Sequence, residues 1–194
     1  MNTKILLITA MIAMLTIAQG CTLKPQHLLI DPEIRVQDTQ IGNGKTVGLL
    51  VTDARQDKKL GEVGDPDRTM VDVRVDEDPS PAIYRRLKSA LMRQGFLVEP
   101  YSEGMDRRLE VTVASLALQS QKTALTFETE LRAEISAHAV NADAFYDRQF
   151  NVKTRKNGAV PPYEKDSTVL VNTAVSQAME DLLADEQLLD LLAR

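Results

Sequence analysis

Residues 125–139 read LTFETELRAEISAHA, and this alternating stretch decides the fold. The residues that face one way are Leu125, Phe127, Thr129, Leu131, Ala133, Ile135, Ala137 and Ala139. The residues between them are polar or charged: Glu128, Glu130, Arg132, Glu134, Ser136 and His138. This period of two predicts a long antiparallel strand with one buried face and one solvated face. Asn141-Ala142-Asp143 then predicts a hairpin turn, and residues 145–155 predict the returning strand.

The preceding half of the chain predicts further strands around this one. Val47-Gly48-Leu49-Leu50-Val51 is a continuous apolar run, which predicts a strand buried on both faces. Residues 71–75 alternate and predict a half-buried strand, whereas residues 28–36 predict an irregular first strand. Residues 109–118 predict another strand, with a bulge where the alternation shifts. A turn is predicted at residues 39–45, a loop around residues 61–67, and a brief strand at residues 96–98.

Three segments have the spacing of amphipathic helices. Ser80-Pro81 begins the first, Gly95 ends it, and its apolar stripe is Ile83, Leu87, Ala90 and Leu91. Asp166 or Ser167 caps the second, whose stripe is Val171, Ala174, Val175, Ala178 and Leu182. A short leucine-rich helix follows from Asp185. The order of elements predicts an α+β fold: a two-layer sandwich of a mostly antiparallel, mixed β-sheet with two main helices packed on it and a short C-terminal helix.

The composition excludes some classes of partner. The chain has 194 residues, with 23 Lys and Arg against 28 Asp and Glu, so it is acidic. An acidic domain gains no counterion-release affinity for nucleic acid, and we expect no nucleic-acid partner. Cys21 is the only cysteine, so no disulfide forms within one chain and the fold depends on its core.

The N-terminus has the features of an export signal. Lys4 precedes an almost entirely apolar run over residues 5–18, which is shorter than a membrane span needs. Ala18-Gln19-Gly20-Cys21 then resembles the bacterial lipobox, which implies cleavage before Cys21 and a covalent lipid on its thiol. We therefore predict a signal peptide at residues 1–20, a tether at residues 21–27 and a single periplasmic α+β domain at residues 28–194. The alternatives are an ordinary signal peptide with a chance cysteine, or a short anchor helix.

Three further stretches carry a resemblance to a family. An apolar strand runs into Asp53-Ala54-Arg55-Gln56-Asp57-Lys58-Lys59-Leu60-Gly61-Glu62-Val63, a helix ends in Met92-Arg93-Gln94-Gly95-Phe96, and the closing helix has an acidic, leucine-rich tail. With the lipobox, these stretches make the chain similar to the YajG family of bacterial lipoproteins. The resemblance implies an outer-membrane lipoprotein that faces the periplasm, and it supplies no catalytic or binding residues. Thr22, in place of Asp, follows the cysteine and favours the outer over the inner membrane.

No motif in the chain predicts catalysis or a cofactor. Gly44-Lys45-Thr46 lacks the earlier glycine of a P-loop and precedes a strand, so it indicates a plain turn. His27 and His138, without a free cysteine, do not predict a metal site. The acidic residues between Asp53 and Asp78 lack the spacing of a calcium loop and are expected to be solvated. We therefore expect no enzyme activity, no metal and no cofactor besides the lipid on Cys21.

Two features remain as candidate interaction sites. Arg55 lies with Asp53 and Asp57 just after the most apolar strand, where sheet proteins often place binding groups. The alternative for Arg55 is a local salt bridge that closes the loop. The leucine-rich tail at residues 182–192 either docks a partner or packs on the sheet.

These observations predict a non-enzymatic envelope lipoprotein that is held on the membrane by its lipid. It would bind another envelope protein or the cell wall through a sheet edge or the loop at residues 53–67, and its oligomeric state stays open. The alternative is a carrier or sensor that binds a small ligand between the sheet and the helices. A ligand cavity of several hundred Å3 would favour that alternative.

Overall fold

The computed structural model describes residues 23–194, so the predictions for residues 1–22, including Cys21 and Thr22, lie outside it. The described part contains eight strands and three helices. The strands are β1 (Gln26–His27), β2 (Thr46–Asp53), β3 (Lys59–Asp65), β4 (Thr69–Arg74), β5 (Leu97–Pro100), β6 (Arg107–Lys122), β7 (Phe127–Asn141) and β8 (Ala144–Gly158). The helices are α1 (Ser80–Arg93), α2 (Glu164–Leu183) and α3 (Glu186–Ala193). The predicted α+β fold class is confirmed.

Strand β6 joins the two halves of the sheet. Along one edge it pairs antiparallel with β7, which in turn pairs antiparallel with β8. Along the other edge, Arg108–Val113 pairs in parallel with Gly48–Asp53 of β2, and further along Leu118 pairs with Gly61 of β3. Beyond β2 lies β5, and beyond β3 lie β4 and then β1. The sheet therefore forks on one side of β6.

The fork coincides with two irregularities in the strands. The pairing of β6 with β7 shifts register between Val113 and Ser115, which confirms the predicted bulge. The second irregularity is at Gly61, where β3 comes against β6: a Cβ atom there would lie 1.9 Å from the carbonyl oxygen of Leu118. Only a residue without a side chain permits this approach.

One face of the sheet is covered by the helices and forms the core. Leu49, Leu109 and Ala139 lie in register across three strands and are almost fully buried. The predicted stripes of α1 and α2 are buried against this face, as are four leucines of α3: Leu188, Leu189, Leu191 and Leu192. Apart from Val140, the buried apolar residues form one continuous cluster. The alternative in which the leucine-rich tail packs on the domain is therefore confirmed.

Residues 28–40 run over the outside of the helices without regular structure. Leu28 and Ile30 are buried, and the backbone N–H of Asp31 donates to the side chain of Asn172 on α2 at 2.8 Å. Asp31 also forms an ion pair with Arg86 on α1 at 2.7 Å. This segment fastens the two helices together from the solvent side. The prediction of a strand at residues 28–36 is wrong: the N–H of Leu28 still donates to the carbonyl of Arg74, but the rest of the segment leaves the sheet and contacts the helices.

Other sequence predictions also need correction. The predicted loop around residues 61–67 is largely strand β3, which forms a hairpin with β4. Strand β2 is not buried on both faces, because Leu50 is exposed on its open side. Leu125 does not belong to the buried face of β7, since the strand begins at Phe127.

The start of α1 differs from prediction by one residue and that of α2 by three or four residues, whereas α3 begins after Asp185 as predicted. Ser80 is the first residue of α1, and Pro79 holds the N-cap position. Helix α2 starts at Glu164, and the carboxylate of Asp166 in its first turn accepts the backbone N–H of Tyr163 at 3.2 Å. Gly95 ends α1 with a φ of 89°, as the left-handed cap requires.

Candidate functional site

The predicted site residues Asp53 and Arg55 lie at the fork of the sheet. Asp53 is the last residue of β2, and the next N–H, of Ala54, donates to the carbonyl of Val113 at 3.1 Å beside the bulge. The chain then leaves β6 and returns to it only at Gly61. Asp53 and Arg55 occupy the gap that opens between β2 and β3.

Asp53 and Arg55 form a covered, two-pronged ion pair. Nε of Arg55 donates to Oδ1 of Asp53 and Nη2 donates to Oδ2, both at 2.8 Å. The side chain of Arg55 is only 3% exposed and that of Asp53 only 6%. Lys58 adds a weaker charge contact to Asp53 at 3.8 Å. Nη1 of Arg55 is buried and has no hydrogen-bond partner within residues 23–194.

The ion pair controls the protonation of Asp53. Burial alone raises the pKa of Asp53, but the hydrogen bonds and the positive charge of Arg55 outweigh it. The pKa of Asp53 therefore lies below its ordinary value of 3.8, and the carboxylate stays ionised at neutral pH. The geometry is that of the local salt bridge, and a binding role for Arg55 stays a prediction. Asp57 does not join the pair, since its carboxylate accepts the backbone N–H of Lys59.

A second candidate surface is the sheet face that the helices leave open. Its residues come from alternate positions of β6, β7 and β8. Glu130 accepts hydrogen bonds from Arg132 and Arg155, both at 2.6 Å, and these hydrogen bonds lower the pKa of Glu130. His138 and Asp147 form a second pair at 2.6 Å across β7 and β8. The face is polar and charged over the length of three long strands.

The open face ends at a long edge strand. In the described part of the chain, β8 pairs only with β7, so the outer backbone groups of its 15 residues have no strand partner. Four cations lie along this strand: Arg148, Lys153, Arg155 and Lys156. Charged residues on an edge strand oppose uncontrolled pairing with other strands, while the backbone groups can still accept a matched partner.

The third surface is a cleft with both apolar and charged walls, at the end of the sheet where β6 turns into β7. Its volume is about 620 Å3, and it is open to solvent. It is lined by Leu23, by Asp65, Arg68 and Thr69 of the β3–β4 hairpin, by residues 122–127 around the β6–β7 turn, and by residues 159–161 and Tyr163 after β8. Sequence reasoning missed this cleft because its walls come from four separated parts of the chain. Leu125 gave no signal, because the alternating pattern assigns it to the buried face of the predicted strand.

The histidines are engaged with single carboxylates. His27 forms a 2.6 Å contact with Asp76, as His138 does with Asp147. Among residues 23–194, no three His, Cys, Asp or Glu side chains are grouped closely enough to hold a metal ion. In the same range, no helix combines the length and the apolar character needed to cross a membrane.

The fold defines a class of α+β protein in which a forked mixed sheet has one helix-covered face and one open polar face. Residues 32–193 match the family described as "uncharacterized lipoprotein", and the chain belongs to this family. The resemblance to YajG lipoproteins is thereby confirmed. The chain is a cell-envelope lipoprotein by family. No curated protein matches it.

Several solved structures are similar to this chain at low sequence identity. A DUF330-family protein from Xanthomonas campestris is 13% identical, with 90% of this chain and 93% of that chain covered and a TM-score of 0.44. A minor lipoprotein from Acinetobacter baumannii is 10% identical, with coverages of 75% and 90% and a TM-score of 0.41. A putative neuraminyllactose-binding hemagglutinin homolog from Helicobacter pylori is 12% identical, with coverages of 78% and 84% and a TM-score of 0.42.

Proposed function

We propose that this lipoprotein is a non-enzymatic interaction subunit, anchored by a lipid on Cys21 at the periplasmic face of the outer membrane. It binds another envelope protein or the cell wall through the edge strand β8 and the open sheet face beside it. The observation that carries the proposal is the long unpaired edge of β8 next to a polar face that no described helix covers. An added strand from a partner would satisfy these backbone groups.

The two other predicted contact sites support the proposal less well. In the loop after β2, the guanidinium of Arg55 is already paired with Asp53. The later part of the predicted loop is strand β3, which is paired within the sheet. The leucines of α3 are buried in the domain. Of the predicted surfaces, the sheet edge is the one whose hydrogen-bonding groups remain available.

The packing between the sheet and the helices disfavours the alternative function, a carrier or sensor of a small ligand. Between the sheet and the helices, Leu109, Ile135 and Val175 are fully buried and belong to the same packed cluster. The cleft of about 620 Å3 has the size of a ligand site, but it lies at the end of the sheet and is open to solvent. Sites for small ligands enclose most of the ligand surface.

Site-specific crosslinking in intact envelopes tests the proposed contact. A photo-reactive residue at Asn151, exposed on β8, is expected to form a discrete adduct with a partner. The matched control places the same residue at Arg85, exposed on the helix side of the molecule. Adducts from position 85 but not 151, or from neither position, would contradict the proposal.

The anchor is tested separately by acyl labelling. Cys21→Ser is expected to abolish incorporation of a labelled fatty acid and to leave the protein either unprocessed or soluble after cleavage elsewhere. Normal labelling of this variant would show that Cys21 is not the lipidated residue.

A further inference from the structure

The cleft at the β6–β7 turn carries a group of exposed apolar side chains. Leu125 is 87% exposed, Val160 55% and Tyr163 53%, and all three line the same cleft. Leu23 and Phe127 contribute partly buried walls. Single exposed apolar residues are ordinary on a protein surface, but a cluster of them marks a contact surface.

The cluster occupies one end of the elongated sheet. Leu125 lies at the tip of the β6–β7 hairpin, and Val160 follows the end of β8. Strand β7 runs from this end to Asn141 at the other, a length of about 46 Å at the usual rise per residue. The exposed ring of Phe145 lies beside that opposite end. The two ends of the molecule can therefore be distinguished by experiment.

The chain enters the domain at the cleft. Leu23 lines the cleft and packs against the core, so its position is fixed by the fold. Cys21 precedes it by two residues, which span at most about 7 Å when extended. A lipid on Cys21 would thus enter a bilayer beside Leu125, Val160 and Tyr163.

The rim of the cleft is balanced in charge, although the whole chain is acidic. Lys122 lies 2.8 Å from both Asp65 and Asp67, and its hydrogen bond lowers the pKa of Asp65. Arg68 on the same rim is exposed and lies 4.0 Å from Asp65. Two cations thus offset two carboxylates, so this end does not repel anionic headgroups as the rest of the surface would.

We propose that this end of the domain rests on the bilayer that holds the anchor, with Leu125, Val160 and Tyr163 inserted among the lipid headgroups. The inference rests on the proposed lipid at Cys21, which keeps the cleft beside the membrane and makes even weak insertion effective through a high local concentration. Tyr163 has the apolar body and polar tip that suit the membrane interface. Strand β8, whose Gly158 end lies beside the cleft, then extends from the membrane end of the domain, with its free edge reachable from the periplasm.

The absence of tryptophan from the chain permits a clean fluorescence test. Leu125→Trp places a single reporter in the cleft, and Phe145→Trp places a matched one at the opposite end. Both positions are exposed, so neither substitution disturbs the core. The full-length protein is expressed in a Gram-negative host, and its membrane-bound product is reconstituted into vesicles whose acyl chains carry bromine.

The expected result is a blue-shifted emission that the brominated lipids quench for Leu125→Trp, with water-like, unquenched emission for Phe145→Trp. Equal, water-like emission from both reporters would overturn the inference. A blue shift at Leu125→Trp without lipid quenching would also overturn it, since a protein contact would then cover the cleft.

Failure of the anchor is recognised independently in the same preparation. Mass measurement shows whether the purified protein carries acyl chains on Cys21. If its thiol is free, coupling to a maleimide lipid supplies the tether, and the same comparison of the two reporters decides the question.

Discussion

The ion pair at the fork of the sheet gives the sharpest stability prediction. In Asp53→Ala, the guanidinium of Arg55 stays covered and loses both of its 2.8 Å hydrogen bonds, while its Nη1 already has no partner in the described structure. Breaking one side of a buried pair costs about 3–5 kcal/mol because a charge remains buried without compensation. We expect Asp53→Ala to lose about 3 kcal/mol, a large part of the stability of a domain this size.

Replacing Arg55, the other member of the ion pair, should reduce the free energy of unfolding by less. In Arg55→Ala, Asp53 retains Lys58, which lies 3.8 Å away and has an ammonium group that can move closer. Replacing both residues together with apolar side chains of similar size removes the buried charges and should restore most of the loss. We therefore expect the wild type and the variant with both residues replaced to be the most stable. Arg55→Ala should be less stable than these two, and Asp53→Ala the least stable.

Urea unfolding followed by circular dichroism measures these differences. A loss below about 0.5 kcal/mol for Asp53→Ala, as for exposed ion pairs, would refute the reasoning from burial. The pH dependence gives a second check. Because the folded pKa of Asp53 lies below 3.8, its contribution is complete above that pH and is lost as the pH falls through the folded value. The difference in free energy of unfolding between wild type and Asp53→Ala should therefore decrease only below about pH 4.

Three further predictions concern the core, the fork and the membrane destination. Leu131→Ala removes a fully buried side chain and should lower the free energy of unfolding in urea by about 2–5 kcal/mol. Glu128→Ala on the open face should change it by no more than about 0.5 kcal/mol, and equal losses would show that the faces are assigned wrongly. Gly61→Ala should lower the thermal midpoint by several degrees because its Cβ meets Leu118, and Gly104→Ala, with open space around it, is the control whose midpoint should not fall. The native protein should fractionate with the outer membrane and Thr22→Asp with the inner membrane; an inner-membrane location of the native protein would contradict this.

The long strands and helices could be predicted because their patterns repeat over many residues. Strand β7 has an unbroken period of two, and Gly95 marks the end of α1 by a conformation that few other residues adopt. Strand β3 was missed for a physical reason. Gly61 and Gly64 look like loop residues, yet here they allow the backbones of neighbouring strands to approach closely.

The sites were harder to predict than the elements. The sequence suggests that Asp53 and Arg55 either pair or bind, but their burial follows from the fork, which depends on pairing between distant strands. The cleft could not be predicted from the sequence for the same reason, because Leu23, Leu125 and Val160 come close together only in the folded chain. Residues 28–36 were predicted wrongly because the alternation of the buried Leu28 and Ile30 with the exposed Leu29 resembles that of a strand.

The forked sheet also has a consequence for the order of folding. Partners in the β7–β8 hairpin are close in sequence, such as Ile135 and Phe150, which are fifteen residues apart. Leu49 of β2 must instead find Leu109 of β6, sixty residues later, and must do so in parallel. Because distant pairings close large loops, the β6–β7–β8 meander should form first and β2 should add to it late. The most apolar strand is thus synthesised early and paired late, which makes residues 47–51 the segment most in need of protection from aggregation while the protein folds.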